Sequence, residues 1–115
     1  MTYEQILADI KKRVFYPIYF LMGEEPFFID TISNELENTI LDEAERSFNQ
    51  VVLYGGDVTA KDIMTQARAF PMMGEYLVVV VKEAHNVKDI ESLADYLDKM
   101  PSTTILIINY KYKKL

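Results

Sequence analysis

The sequence lacks cysteine altogether and contains one histidine, His85. Without thiols the chain can form neither a disulfide framework nor a thiolate metal site, and one imidazole cannot build a histidine cluster. The composition therefore excludes disulfide-stapled scaffolds and cysteine–histidine zinc modules, and it agrees with a reducing, cytoplasmic compartment.

Positive charge is also scarce, because 12 Lys and Arg stand against 18 Asp and Glu, for a net charge of -6. A protein that wraps nucleic acid needs a surplus of Lys and Arg on one face. We therefore expect any contact with DNA to be indirect. The basic end, Lys111–Lys114, is predicted to be solvated.

No apolar run is long enough to cross a bilayer. Three basic residues at 11–13 precede the apolar stretch Val14–Met22, which resembles the start of a secretory signal. This stretch contains Pro17, lacks a small-residue cleavage site and is nine residues long, whereas a span needs roughly 20. We predict neither a signal peptide nor a membrane partner.

Repeats, low-complexity tracts and Pro/Gly-rich linkers are missing too, so residues 1–115 are predicted to form one domain. Capping signals at Thr2 with Gln5 and at Thr59 with Asp62 begin two helices. The segment Asp42–Arg46 is predicted to be a solvated connection. Apolar spacing predicts the extent of the elements after the first helix. The predicted helices are Pro26–Leu41, Thr59–Phe70 and Asp89–Met100. The predicted strands are Ile18–Met22, Asn49–Tyr54, Tyr76–Val81 and Thr103–Ile108.

This alternation of helices and strands predicts an α/β fold with a doubly wound parallel sheet. The third strand, Tyr76–Val81, is apolar at nearly every position, as a central strand covered on both faces requires. Functional residues are expected at the carboxyl ends of the strands. Because the sequence stops just beyond the fourth strand, we expect a fragment of a longer protein.

The first strand ends in glycine before a helix, which invites comparison with the phosphate-binding P-loop. On that template Gly23 takes the first glycine, Phe28 the second, Ile29 the lysine and Asp30 the Ser/Thr. The adjacent Glu24 and Glu25 would repel a triphosphate. We interpret the motif as a degenerate Walker A sequence and expect no bound nucleotide.

The third strand resembles a Walker B strand, which ends in an acid that organises magnesium. Lys82 stands where that acid would be, and Glu83 follows it. A cation at this position opposes a metal ion directly. Asn109, near the end of the fourth strand, stands either in the place of a polar sensor residue or as an ordinary strand-closing residue. We expect no cofactor, no metal and no catalytic residue.

Two segments resemble the delta subunit family of bacterial clamp loaders. They are residues 16–30, YPIYFLMGEEPFFID, and residues 70–76, FPMMGEY, which lead into Val78–Val81. The resemblance implies an AAA+-like N-terminal domain that does not bind ATP and that contacts the beta sliding clamp, helping to open it for loading onto primed DNA. It also implies the gamma/tau and delta prime subunits as partners, with DNA reached only through the assembly.

In that family, adjacent hydrophobic residues at the end of the helix before the third strand contact the clamp. Here the resemblance assigns the contact to Phe70, Pro71, Met72 and Met73, with the two methionines in place of a Leu-Phe type of pair. Methionine adapts to irregular apolar pockets. The alternative is that both methionines fill the core; we expect at least one to be exposed.

Two other functions share this fold class. A divergent P-loop ATPase would require a lysine near Gly23 and an acid directly after Val81, but the sequence has no lysine near Gly23 and has Lys82 directly after Val81. A receiver-like or flavodoxin-like signalling domain would require clustered carboxylates or a phosphate-binding loop at the strand ends. Asp57 follows the second strand, but Gly55 and Gly56 before it favour a turn role.

Overall fold

Four parallel strands form a sheet at the centre of the computed structural model, which describes residues 2–23 and 25–111. Within those residues the strand order is β1-β4-β3-β2. β3 and β4 therefore occupy the middle. The strands are β1 Ile18–Gly23, β2 Gln50–Tyr54, β3 Leu77–Lys82 and β4 Thr104–Lys111.

The α-helices are α1 Tyr3–Lys11, α2 Pro26–Thr39, α3 Glu43–Asn49 and α4 Ala60–Ala67. Reciprocal side-chain hydrogen bonds confirm the predicted capping boxes that begin α1 and α4. Pro26 occupies the first turn of α2, where its missing N–H costs nothing.

Both faces of the sheet are covered, which confirms the doubly wound α/β fold. Val78 and Val80 pack on the side of α1 and α2, whereas Val79 and Val81 pack on the side of α4. All of β3 from Leu77 to Val81 is buried. The core is thus split into two layers by the central strands.

Helix α3 corrects the prediction that Asp42–Arg46 is a solvated connection. Asp42 Oδ1 accepts a hydrogen bond from the Glu45 amide at 2.8 Å, and Glu45 Oε1 accepts one from the Asp42 amide at 3.2 Å. The Arg46 guanidinium donates to the Leu41 carbonyl at 3.0 Å, which satisfies an acceptor just beyond α2. A capping box and a local side-chain contact therefore support a short helix.

The predicted α-helix over Asp89–Met100 is wrong in its helix type. This segment forms 3₁₀ helices over Ile90–Asp95 and Leu97–Lys99. Asp89 does not begin an α-helix; its carboxylate accepts a hydrogen bond from the Ala60 amide of α4 at 3.0 Å. Residues three apart share a face in a 3₁₀ helix as well, and Leu93 is buried against the sheet side of α4.

Several boundaries differ from those predicted. Asn49 ends α3 and does not begin β2, α4 ends at Ala67 and not at Phe70, and β4 continues to Lys111. Among the helices in the described part of the chain, none is long and apolar enough to cross a membrane.

Candidate functional site

The degenerate Walker A residues lie at the end of β1 and in the first turns of α2. Ile29, in the position of the lysine, is buried in the core between α2 and the sheet. Phe28 packs edge-on against Tyr3, with ring centroids 4.8 Å apart. The Ile29 side chain is apolar and buried, so it cannot replace the lysine that would bind a phosphate. Glu24 lies outside the described residues.

A set of polar contacts, which we call the carboxyl-end network, joins β3, α2 and β4. The Lys82 ammonium lies 3.4 Å from Glu37 Oε1. The Ser33 hydroxyl donates to Glu37 Oε2 at 2.9 Å, and the Asn109 amide donates to the Ser33 hydroxyl at 2.9 Å. The predicted positions Lys82 and Asn109 are thus linked through two α2 residues that sequence reasoning missed.

A second ion pair lies at the same end of the sheet, where the strands have their carboxyl ends. The Lys111 ammonium lies 2.7 Å from Asp30 Oδ1. The fourth template residue of the degenerate Walker A motif is therefore engaged with the end of β4. Lys111 is ion-paired at the surface and not merely solvated; residues 112–114 of the basic end lie outside the described residues.

The cavity among these residues does not fit a magnesium nucleoside triphosphate. Its volume is about 190 Å³, whereas pockets for ligands of drug size have roughly 300–1,000 Å³. Asp30, Glu37 and Glu83 line it and would repel phosphate oxygens. Both lining lysines, Lys82 and Lys111, are paired with carboxylates. Across residues 2–23 and 25–111, no group of three His, Asp or Glu side chains could hold a metal ion.

Glu83, the second residue of the degenerate Walker B pair, is exposed and has a left-handed backbone with φ of 54°. Its carbonyl oxygen packs against Gly55, where an added Cβ would lie only 1.9 Å away. Glycine is therefore required at Gly55 because two turns approach each other closely. Gly55–Asp57 forms a 3₁₀ turn that ends at Asp57, which confirms the predicted turn role of Asp57.

The predicted contact residues lie in the connection between α4 and β3, residues 68–76, which we call the Met loop. Because this loop leads into Leu77 at the start of β3, it is at the amino end of that strand. The expectation of a functional surface at the carboxyl ends does not apply to it. The helix ends at Ala67, three residues before the predicted end at Phe70, and the methionines follow the helix, as that predicted end implied.

Large apolar side chains of the Met loop point into solvent. The exposed fractions are 72% for Phe70, 66% for Met72 and 90% for Met73. The expectation of at least one exposed methionine is therefore confirmed, and the alternative that both fill the core is wrong. Met73 adopts a left-handed backbone with φ of 55°, which is uncommon for a residue with a side chain.

Asn49, at the end of α3, lies beneath the Met loop and is fully buried, with 0% exposed. Its side-chain amide donates to the Met72 carbonyl at 2.9 Å, and its Oδ1 accepts from the Met72 amide at 2.7 Å. Sequence reasoning missed this residue, because its partner is 23 positions away and is a main-chain group with no sequence signature.

The fold defines a doubly wound α/β domain with a parallel sheet, and the charged side chains at the carboxyl end of that sheet are paired with one another. The family model for the DNA polymerase III delta subunit matches residues 19–115. The chain therefore belongs to the DNA polymerase III delta subunit family. Because the chain belongs to this family, we reject the receiver-like and flavodoxin-like signalling functions.

Individual relatives agree with this assignment. DNA polymerase III subunit delta of Bacillus subtilis is 26% identical over 123 residues, which cover 96% of this chain and 35% of the relative. The solved structure of the Bacillus subtilis DNA clamp loader delta protein has the same fold, with a TM-score of 0.85 at 22% identity; it covers 99% of this chain and 37% of that one. The chain thus spans about a third of the length of these relatives.

Proposed function

We propose that this domain binds the beta sliding clamp through the Met loop and helps to open the clamp for loading onto primed DNA. The observation that carries the proposal is the exposure of three large apolar side chains, Phe70, Met72 and Met73, on one short loop. Exposed apolar side chains grouped in this way are typical of protein interaction sites.

The energetics of such a contact favour a small number of anchors. A side chain of methionine size contributes roughly 1.5–3 kcal/mol when it is taken fully out of water. Met72 and Met73 are mostly exposed before binding, so most of that gain remains for a partner. Their flexible thioethers suit an irregular apolar pocket on the clamp better than a rigid ring would.

We further propose that the domain is non-catalytic and neither binds nor hydrolyses ATP. Support comes from Ile29, which is buried in the position of the phosphate-binding lysine, and from Lys82, whose ammonium pairs with Glu37 where magnesium would need an acid. Chemical energy for loading must then come from other subunits of the loader. The proposed partners of this domain within the loader are the gamma/tau and delta prime proteins.

DNA is proposed as an indirect partner only, reached through the clamp and the other subunits. The net charge of -6 opposes direct binding to a phosphate backbone. The proposed compartment is the cytoplasm, because the role is exercised on chromosomal DNA.

The test is a titration of this chain with the beta clamp of the same source organism, using the double variant Met72→Ala, Met73→Ala. Affinity should fall by about one to four orders of magnitude, at about 1.4 kcal/mol per decade and allowing for incomplete burial. The free energy of unfolding should change by less than about 0.5 kcal/mol, since both side chains project into solvent.

Met22→Ala is the matched control. Met22 is 57% exposed and lies on β1, in an apolar groove that Phe20 and Ile90 also line. Clamp affinity should stay unchanged in this variant. A folded double variant that binds as tightly as the wild type would contradict the proposed contact, and so would an equal loss in the Met22 variant.

A further inference from the structure

The side chain of Asn49 is the only described side chain that makes hydrogen bonds to the backbone of the Met loop's exposed segment, residues 70–73. It uses both its donor and its acceptor on one residue, Met72, at 2.9 and 2.7 Å. This double contact resembles the pairing of neighbouring strands, in which one residue satisfies the N–H and the C=O of another. It fixes the backbone of Met72 while its side chain stays exposed.

The rest of the turn lies against the same asparagine and against α3. Met73 has a φ of 55° and Gly74 a φ of 156°, and both values are disfavoured for residues that carry a side chain. A Cβ added to Gly74 would lie 3.3 Å from Asn49 Nδ2 and 3.0 Å from Glu45 Oε2. The loop backbone therefore rests directly on α3, whose capping box Glu45 completes.

We infer that Asn49 is a positioning residue for partner binding, which presents Met72 and Met73 in a binding-ready arrangement. This inference rests on the proposed function of the Met loop. A loop that is already ordered loses less conformational entropy when it binds. Without Asn49 the methionines would remain available, but the loop would occupy the binding-ready arrangement for only a fraction of the time, and the apparent affinity would fall in proportion.

A double-mutant cycle tests the inference, with clamp binding measured for four proteins: the wild type, Asn49→Ala, the Met72→Ala, Met73→Ala variant and the triple variant. We expect Asn49→Ala to weaken binding about 10- to 100-fold when the methionines are present, and less than about threefold when they are absent. Non-additivity of this kind is expected only if Asn49 acts through the methionines. Asn38→Ala, a change of an exposed asparagine on α2, is the matched control and should bind like the wild type.

The outcomes separate the two proposals. If the double methionine variant binds normally, the proposed contact fails and the inference fails with it. If the methionines matter but Asn49→Ala binds normally, or weakens binding equally in both backgrounds, only the inference is overturned.

Amide hydrogen exchange of the wild-type chain tests the same inference without a substitution, and it decides the question if Asn49→Ala does not fold. The Met72 amide should exchange at least about tenfold more slowly than the Met73 amide, since its hydrogen bond to the buried Asn49 side chain must open before exchange can occur. Within residues 2–23 and 25–111 the Met73 amide makes no hydrogen bond. Equal rates for the two amides would overturn the inference.

Discussion

At the carboxyl ends of the strands, charged and polar side chains are paired with one another, whereas at the amino end of β3 large apolar side chains project into water. The carboxyl-end network joins Lys82, Glu37, Ser33 and Asn109 through direct contacts. In the Met loop, by contrast, the backbone of Met72 is held and the side chain is left exposed.

The two regions differ in what they can offer to a ligand or a partner protein. Side chains that are already paired, as Lys82 is with Glu37, offer a ligand little net gain, because any new contact must first break an existing one. Exposed apolar groups gain free energy whenever a partner covers them. Three predictions test this comparison.

The largest expected effect is on the carboxyl-end network. Ser33→Ala removes the acceptor of the buried Asn109 amide and the donor to Glu37. We expect a loss of about 1–3 kcal/mol in the free energy of unfolding, because a buried donor is left without a partner. Clamp affinity should not change.

Urea unfolding of Ser33→Ala beside Ser47→Ala provides the measurement and its control. Ser47 is exposed on α3, so its variant should lose no more than about 0.5 kcal/mol. Equal losses in the two variants would mean that the network does not stabilise the domain.

A smaller effect is expected from the two ion pairs, and here burial should outweigh distance. Lys82 and Glu37 are 34% and 12% exposed at 3.4 Å, whereas Lys111 and Asp30 are 33% and 52% exposed at the shorter distance of 2.7 Å. Lys82→Met should cost about 1 kcal/mol of unfolding free energy and Lys111→Met less than about 0.5 kcal/mol, since solvent screens the second pair.

Unfolding of both lysine variants at low salt and at about 1 M salt separates the contributions, because added salt shortens the screening length to about 3 Å. The difference between the variants should persist at high salt. A larger cost for Lys111→Met would show that distance and not burial decides the strength of these pairs.

The smallest expected effect is that of ATP. Millimolar MgATP should leave the melting temperature of the domain unchanged, because the position of the phosphate-binding lysine holds the buried Ile29. A ligand that binds only the folded state raises stability by about 2.7 kcal/mol at 100 times its dissociation constant. A saturable rise in melting temperature would reopen the pocket as a nucleotide site.

The sheet and its layers could be predicted from sequence because their signals are local. The apolar run Leu77–Val81 indicates a strand buried on both faces, and the capping residues of α1 and α4 lie three positions apart. Helix α3 carries the same type of signal at Asp42 and Glu45; its brevity and its charged sequence made it look like a solvated connection.

The features that could not be predicted from sequence depend on contacts between residues that are far apart along the chain. Asp89 reads as a helix start, but its carboxylate is used by Ala60 of the preceding helix, and no local pattern reveals that. The role of Asn49 depends likewise on the main chain of Met72. The exposure of the methionines could be expected only from family resemblance, because Met side chains are as common in cores as at binding surfaces.

The most direct test of the comparison is a methyl NMR titration of methionine-labelled domain with the beta clamp. The chain contains its own references: Met64 is 2% exposed in the core, and Met22 is 57% exposed on β1. We expect the methyl resonances of Met72 and Met73 to shift as clamp is added, while those of Met64 and Met22 keep their positions. Unchanged Met72 and Met73 resonances at a clamp concentration that shifts Met22 would contradict the account.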